Sequence, residues 1–207
     1  SGLSLKGDRS NLLTTQGVIQ VKMDDINGAV RSFEEAIKNP NNFGARLNLG
    51  LLTFGYRDYE RSYQLLTDAV KLRPKHIGAK LSLAVSARAL KRYDEARRGY
   101  QEVLTLTPDH PGALFNLTVL DQDYTEVEST DFDKRTQLTK SAIAQYQRVL
   151  SLSRDQAFSD KVKRRIEDAK IILESIEEEK QSAADDAAEQ SQEGQGEGQD
   201  QEDQGAP

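Results

Sequence analysis

Apolar and small residues recur along the first two thirds of the chain at intervals of about 34 residues. Pro40, Pro74 and Pro108 follow one another at 34 residues. Four further classes of position keep this interval to within one residue: Gly17, Gly50 and Ala84; Ala29, Ser62 and Ala96; Phe33, Leu66 and Tyr100; and Ala36, Ala69 and Val103. An interval that holds for five classes of residue predicts a repeated helix–turn–helix unit.

The sizes of the recurring residues predict how the helices pack. A small residue midway along the first helix, and another early in the second, let the two helices of a pair cross closely. Bulky residues such as Phe33 and Tyr100 fill the space between one pair and the first helix of the next. Proline lacks a backbone donor and disfavours helix in the preceding residue, so the prolines end the second helices. We therefore predict an all-α solenoid of antiparallel helix pairs.

The interval predicts four repeats with a segment before them. The repeats cover residues 10–42, 43–76, 77–110 and 111–154, and the last is interrupted by an acidic insert at about 121–134. Residues 1–9 are predicted to end the second helix of a preceding repeat, because Leu3 and Leu5 match Leu104 and Leu106, with Gly7 at the proline position. We infer from this match that further repeats lie upstream.

The sequence after the repeats divides into two segments. Residues 155–180 are predicted to form a capping helix, because one apolar stripe runs through them: Phe158, Val162, Ile166, Ala169, Leu173 and Ile176. Residues 181–207 contain no Val, Ile, Leu, Phe, Tyr or Met and consist mainly of Gln, Glu, Asp, Gly, Ala and Ser. A segment of that composition cannot offset its ordering entropy by burial, so we predict a disordered acidic tail.

Several short motifs resemble those of the tetratricopeptide repeat family. They are LNLG at 47–50, DYERS at 58–62 and RYDEA at 92–96. The chain departs from the family where a tryptophan is usual in the first helix and where it has Leu13, Arg46, Lys80 and Leu114. The resemblance covers about residues 1–154, and it implies a right-handed superhelical solenoid that binds other proteins and is not an enzyme.

Charge and composition exclude several other functions. All 28 Lys and Arg lie before residue 181, whereas eight of the 34 acidic residues lie after it. The nearly neutral repeat region does not favour nucleic-acid binding. Cysteine is absent, and no apolar run is long enough to cross a bilayer, so we expect neither disulfides nor membrane insertion in this segment.

Few residues offer catalytic or metal-binding chemistry, and we predict no cofactor, no metal and no catalytic residue. His76 and His110 occupy the same place in successive turns and are interpreted as solvated turn residues. Asp121 and Asp123 have the opening spacing of a calcium-binding loop, but Glu126 stands where glycine is needed and Phe132 where an acidic ligand is needed. The insert is interpreted as a solvated loop or as a contact for a basic partner.

A basic cluster near the start of the capping helix is opposite in charge to the insert and the tail. It comprises Lys161, Lys163, Arg164 and Arg165. Two interpretations stay open, a solvated outer face and a contact with acidic sequence in this chain or in a partner. Salt-sensitive binding would favour the contact.

The resemblance also indicates where a partner binds. In the family, the first helices line a concave groove, and the groove positions are occupied here by Val18, Val21, Leu47, Asn48, Leu51, Phe54, Leu81, Val85, Arg88, Phe115, Asn116 and Val119. Gly44, Gly78 and Gly112 are expected to let a ligand approach the edge of the groove. A mainly apolar groove suits an amphipathic helix or an apolar extended segment. The alternative is that these residues pack inside the protein.

Some family members bind the C-terminal carboxylate of heat-shock chaperones through groove lysines and asparagines. The lysine position holds Thr14, Leu47 and Leu81 here, and the paired asparagine position holds Val18, Leu51 and Val85. Only Asn48 fits that arrangement. The sequence therefore does not favour a chaperone-tail site.

The favoured function is a scaffold or adaptor that presents this groove to a protein partner within a larger complex. The interrupted last repeat, long terminal helix and Gln/Glu-rich tail resemble bacterial cell-envelope tetratricopeptide proteins, among them those of myxobacterial gliding motility. That resemblance implies a periplasmic or envelope location, with the cytoplasm as the alternative. A self-assembling solenoid and a regulatory domain of a larger protein are the other functions that the sequence leaves open.

Overall fold

The computed structural model describes residues 2–125 and 131–196, with side chains described for 9–123 and 131–188. These residues form nine α-helices and no strand. The helices are α1 (Gly2–Lys22), α2 (Ile26–Ala36), α3 (Phe43–Gly55), α4 (Tyr59–Leu72), α5 (Ile77–Ala89), α6 (Tyr93–Leu106), α7 (Pro111–Thr125), α8 (Phe132–Leu152) and α9 (Gln156–Gly196). The predicted all-α fold of helix pairs is confirmed.

The chain divides into two compact units, of which the first comprises residues 1–120. Within it α1 packs on α2, α3 on α4 and α5 on α6, and α2 and α4 also contact the first helix of the next pair, α3 and α5 respectively. The first helices contact one another as well, α1 with α3 and α3 with α5. Three first helices therefore lie side by side and expose one shared surface.

Close approach within each pair explains the small residues that recur in the sequence. A Cβ atom added to Gly17 would lie 2.6 Å from the ring of Phe33, and one added to Gly50 would lie 2.8 Å from Cγ of Leu66. Real Cβ contacts are not this short. In the first two pairs the bulky residue of the second helix thus lies directly against the small residue of the first helix.

In each of the first three helix pairs the turn contains a residue that has a positive φ angle but is not a glycine. Asp24, Arg57 and Lys91 have φ angles of 62°, 64° and 61°. This left-handed region favours glycine, because a Cβ atom is strained there. The position recurs at 33 and 34 residues, so the strained turn is itself part of the repeat.

The start of the chain differs from the prediction. We expected residues 1–9 to end a preceding helix, with a turn near Gly7. Instead α1 runs without interruption from Gly2 to Lys22. Glycine is tolerated within a helix at a cost of about 1 kcal/mol, and without a proline nothing in this segment forces the helix to end.

The second unit comprises residues 121–207, and its main feature is the packing of α8 on α9. Its buried apolar residues are Ala142, Tyr146, Val149, Val162, Ile166, Ala169 and Ile176. Two exposed ion pairs also join the helices, Lys180 Nζ to Asp133 at 2.6 Å and Arg135 to Glu179 at 2.7 Å. Four residues of the predicted stripe, Val162, Ile166, Ala169 and Ile176, thus form the contact face of α9.

Two predicted irregular segments are partly helical. Helix α9 continues to Gly196, so residues 181–196 of the predicted disordered tail are helical, while 197–207 lie outside the described residues. Continuing an existing helix avoids the cost of nucleation, and Ala, Glu and Gln are good helix formers. The insert lengthens α7 and α8 on either side of residues 126–130, which also lie outside the described residues.

Candidate functional site

The surface shared by α1, α3 and α5 contains most of the predicted groove residues. Val21 and Leu51 are the most exposed of them, at 38% and 46%. The others on these helices are half-buried: Val18, Leu47, Asn48, Phe54, Leu81, Val85 and Arg88. The structure therefore brings nine of the predicted residues onto neighbouring helices.

A cavity of about 360 Å³ opens between α1 and α3. It is lined by Val18, Val21, Lys22, Phe33, Asn48, Leu51 and Leu52. Phe33 reaches it from α2, because its ring lies against Gly17. Four of the predicted groove residues therefore surround one mainly apolar cavity, and Lys22 and Asn48 supply its polar groups.

Other predicted groove residues take part in the core. Leu47 packs against the cluster of Phe43, Ala69 and Ala79. Leu81 and Val85 pack against the cluster that contains Tyr100. These side chains contact the interior on one side and the surface on the other, so the alternative of internal packing holds for part of the groove.

The structure corrects the predicted groove on α7. Phe115 is 3% exposed and Val119 is 1% exposed, so neither side chain can contact a ligand in this conformation. Asn116 is half-buried, and its amide donates to the Gly112 carbonyl at 2.7 Å. The accessible candidate site is therefore the part formed by α1, α3 and α5.

Two of the three glycines at the groove edge lie against the preceding first helix. A Cβ on Gly44 would lie 3.3 Å from Cγ2 of Thr14, and a Cβ on Gly112 would lie 3.4 Å from Cδ2 of Leu81. The first distance is tight and the second is an ordinary contact. Close packing of α3 against α1 is therefore a reason for Gly44 that differs from the predicted approach of a ligand.

The two histidines cap helices and are half-buried, which corrects their interpretation as solvated turn residues. Nδ1 of His76 accepts a hydrogen bond from the Ala79 amide at 3.0 Å, and Nδ1 of His110 accepts one from the Ala113 amide at 3.2 Å. Each ring thereby satisfies one of the free amides at the start of a first helix. Their role is structural.

The sequence predicts Tyr100 as a bulky packing residue but not the state of its hydroxyl. Tyr100 is fully buried, and its hydroxyl has no hydrogen-bond partner. Burial raises the pKa of Tyr100 to about 12, and the positive charge of Arg88 and its side-chain contact with the hydroxyl oppose this rise. Arg88 therefore lies next to the hydroxyl, although the contact falls outside normal hydrogen-bonding geometry.

In the fourth repeat the hydroxyl of the equivalent tyrosine has a hydrogen-bond acceptor. Tyr146 follows Ala142 by four residues, as Tyr100 follows Ala96, and Gln122 follows Arg88 by 34. The hydroxyl of Tyr146 donates to Oε1 of Gln122 at 2.9 Å. The sequence signal for this difference is that the third repeat has Arg88 where the fourth repeat has Gln122.

The described part of the chain offers little for metal or membrane chemistry. No group of His, Asp or Glu side chains within it could hold a metal ion. Asp123 of the insert lies 3.8 Å from Arg165 of the basic cluster, so one contact between these oppositely charged segments is present. None of the described helices is long and apolar enough to span a membrane.

Residues 79–110, which hold most of α5 and all of α6, match a tetratricopeptide repeat family. No curated protein sequence matches the chain significantly.

Solved structures are similar in fold at low sequence identity. A crystal structure of MamA protein is 18% identical, with a TM-score of 0.58, over 79% of this chain and 91% of that one. The first tetratricopeptide domain of Spaghetti (RPAP3), bound to the HSP90 peptide SRMEEVD, is 20% identical, with a TM-score of 0.54, over 56% and 94%. A Thermobaculum terrenum O-GlcNAc transferase mutant is 21% identical, with a TM-score of 0.54, over 68% and 27%. The match at residues 79–110 identifies one tetratricopeptide repeat, and the similarity to these structures shows that the chain shares their fold.

Proposed function

We propose that this protein is a scaffold or adaptor that holds an apolar or amphipathic segment of another protein in the groove of α1, α3 and α5. The observation that carries the proposal is the cavity of about 360 Å³ between α1 and α3, with Val21 and Leu51 exposed at its rim. Exposed apolar surface that borders a cavity is typical of an interaction site.

The size and lining of the cavity indicate how it would bind. Ligand pockets usually measure about 300–1,000 Å³, so this cavity is at the small end and suits an apolar side chain of a longer segment. Burying one large apolar side chain contributes roughly 1.5–3 kcal/mol. The rest of the segment would lie along the half-buried residues of α3 and α5, Leu47, Leu81 and Val85.

A chaperone C-terminal tail is not the partner that we propose. The RPAP3 domain binds an HSP90 peptide, but the similarity to it extends to the fold alone. In this chain Thr14 donates to the backbone of its own helix at 2.9 Å, and Val18 lines the apolar cavity. Neither residue can supply the positive charge that a terminal carboxylate requires at this end of the groove.

The proposal is tested by selecting binders from a phage-displayed library of random 12-residue peptides. Wild-type protein should enrich peptides with recurrent apolar residues. Leu51→Asp places a charge at the cavity rim and should abolish their binding. Ile171→Asp is the matched control, because Ile171 is 64% exposed and belongs to α9, which is not one of the groove helices. Equal loss of binding in both variants, or no enrichment by the wild type, would contradict the proposal.

Self-association is a second candidate function, and the exposed side of α1 favours it. Leu12 and Ile19 of α1, and Met23 directly after it, are 70%, 51% and 73% exposed and are spaced by seven and four residues. The repeat counterparts of Leu12 are Ala45, Ala79 and Ala113, all 0% exposed. In the second repeat Ala45 and Leu52, the counterpart of Ile19, pack against α2.

A second copy of the chain could cover this side of α1 as α2 covers α3. Sedimentation velocity from 1 to about 200 µM, a range that spans weak to moderate dissociation constants, measures such association. Wild-type protein should show a concentration-dependent rise in sedimentation coefficient that Leu12→Glu removes. A monomer at every concentration would contradict this candidate.

For the place of this function we propose a bacterial envelope or motility complex. The proposal is supported only by the arrangement of repeats, long terminal helix and Gln/Glu-rich tail in the sequence. Fractionation of the native cells into periplasm, membrane and cytoplasm, followed by immunoblotting, tests it. Recovery in the cytoplasm alone would contradict it.

A further inference from the structure

A second cavity of the repeat region is formed by α4, α5 and α6. Its volume is about 260 Å³, and its apolar lining comes from Val70, Leu83, Ala84, Ala87 and Gly99. None of its lining residues is a predicted groove residue, and none lines the cavity of α1 and α3. The proposed groove function therefore leaves this second cavity unexplained.

The preceding repeat shows which side chain is missing from this cavity. Gly99 stands 34 residues after Leu65, at the same repeat position. Leu65 packs against the core cluster that contains Leu49. Two further residues packed against that cluster are counterparts of cavity residues, Val30 of Tyr63 and Ile37 of Val70. In the second repeat a leucine side chain therefore fills the space that Gly99 leaves open.

The exposure of the leucine beneath this position shows the same difference. Leu49 is 0% exposed in the second repeat, whereas its counterpart Leu83 is only half-buried. Covering apolar surface is favourable in proportion to the area removed from water. The third repeat thus leaves accessible an apolar surface that the second repeat covers with Leu65.

Close packing explains why residue 99 is a glycine, but it does not close the cavity. A Cβ atom added to Gly99 would lie 2.7 Å from Cβ of Ala84. The second repeat has Gly50 at the position of Ala84, and it can therefore keep Leu65 on the second helix. Both pairs let the two helices pack, but only the pair of Ala84 and Gly99 removes the covering side chain.

The polar groups at the edge of this cavity already have partners. Glu95 and Glu102 lie on the same face of α6 as Gly99, four residues before it and three residues after it. The hydroxyl of Tyr63 donates to Glu95 at 2.6 Å, and Lys80 forms an ion pair with Glu102. The contact that this cavity lacks is therefore an apolar one.

We propose that the cavity of α4, α5 and α6 is a second binding site, which takes a leucine side chain of another polypeptide. The chemistry of the occupant follows from Leu65, which fills the equivalent space from within the chain. The inference goes beyond the proposed function, because this site shares no residue with the groove. A chain with both sites holds two polypeptide segments at once, as an adaptor does.

Methyl NMR of protein labelled at Val, Leu and Ile tests the site with N-acetyl-leucine amide as the probe. The methyl signals of Val70 and Leu83 should shift saturably, with a dissociation constant on the order of 1–10 mM for a ligand of this size. N-acetyl-alanine amide lacks the isopropyl group and should bind at least about tenfold more weakly. Nuclear Overhauser effects between the probe methyls and those of Val70 and Leu83 locate the probe directly.

A double variant, Ala84→Gly with Gly99→Leu, rebuilds the residue pair of the second repeat. Its new leucine should fill the cavity and abolish binding of the probe, while the circular dichroism spectrum stays that of the wild type. Ala84→Gly alone is the matched control, because it makes the same change in α5 and leaves the cavity open. This control should keep the dissociation constant within about fivefold, since it removes only one methyl group from the lining.

Each outcome bears on this site separately from the groove. The inference is overturned if Val70 and Leu83 show no saturable shift, or if the double variant binds as tightly as the wild type. Shifts confined to Val18, Val21 and Leu51 would place the probe in the groove cavity, which overturns the second site and leaves the proposed function intact. If the double variant does not fold, the Overhauser contacts in the wild type decide. A groove that enriches no peptide would leave this site unaffected.

Discussion

The hydroxyl of Tyr146 donates to Oε1 of Gln122 at 2.9 Å, whereas Tyr100, its counterpart one repeat earlier, has no such acceptor. Removing the two hydroxyls should therefore have opposite effects. Tyr100→Phe should raise the free energy of unfolding by about 1 kcal/mol, because it removes a buried group without a partner. Tyr146→Phe should lower it by about 1–2 kcal/mol. Urea denaturation followed by circular dichroism measures both, and equal signs would contradict this account.

Replacing Arg88 by glutamine should reproduce the pair of the fourth repeat. The new side-chain carbonyl can accept from Tyr100, which should contribute about 1 kcal/mol, less a few tenths for the lost cation at the end of α5. Arg88→Gln should therefore raise the urea midpoint modestly. Arg88→Met, which has no such acceptor, is the control, and an equal rise for Met would show that hydrogen bonding is not the cause.

The buried tyrosine also predicts a loss of stability at high pH. Burial raises the pKa of Tyr100 in the folded protein to about 12, from an ordinary value of 10.0. The unfolded chain loses this proton at a lower pH than the folded protein does. The free energy of unfolding is therefore unaffected by this group below pH 10 and falls by roughly 2–3 kcal/mol as the pH rises to about 12. Denaturation of wild type and Tyr100→Phe from pH 8.5 to 11.5 isolates the contribution. Parallel pH profiles would contradict it.

Two glycines of α3 should respond oppositely to substitution by alanine. A Cβ on Gly50 would lie 2.8 Å from Cγ of Leu66, so Gly50→Ala should cost about 1–3 kcal/mol of stability. A Cβ on Gly55 would meet nothing within 4 Å, so Gly55→Ala should gain up to about 1 kcal/mol from helix propensity. Thermal unfolding measures both. Stabilisation by Gly50→Ala would show that α3 and α4 are less closely packed than described.

Much of the fold could be predicted from the sequence because the repeat displays the same packing rule several times. Gly17 and Gly50 lie against Phe33 and Leu66, as their recurrence indicates. The turns at Asp24, Arg57 and Lys91 could not be predicted, because local propensity favours glycine there and the surrounding helices impose the conformation. Helix propensity explains why α1 continues through Gly7 and why the acidic tail begins as a helix. A search for apolar patterns does not take propensity into account.

The candidate site was only partly predictable for a different reason. Repeat position identifies which helix face a residue occupies, but exposure depends on what packs beside that face. Val21 and Leu51 are exposed, whereas Phe115 and Val119 on α7 are buried. The relation of Tyr100 to Arg88 required the structure, because the two residues lie on different helices of one pair.

Binding in the groove is measured most directly by methyl NMR of protein labelled at Val, Leu and Ile, titrated with the most enriched library peptide. The methyl shifts of Val18, Val21 and Leu51, which border the cavity of α1 and α3, should change. Those of Ile171 on α9, the internal control, should not. Changes confined to α9, or to Val70 and Leu83, which line a different cavity, would contradict binding in the groove.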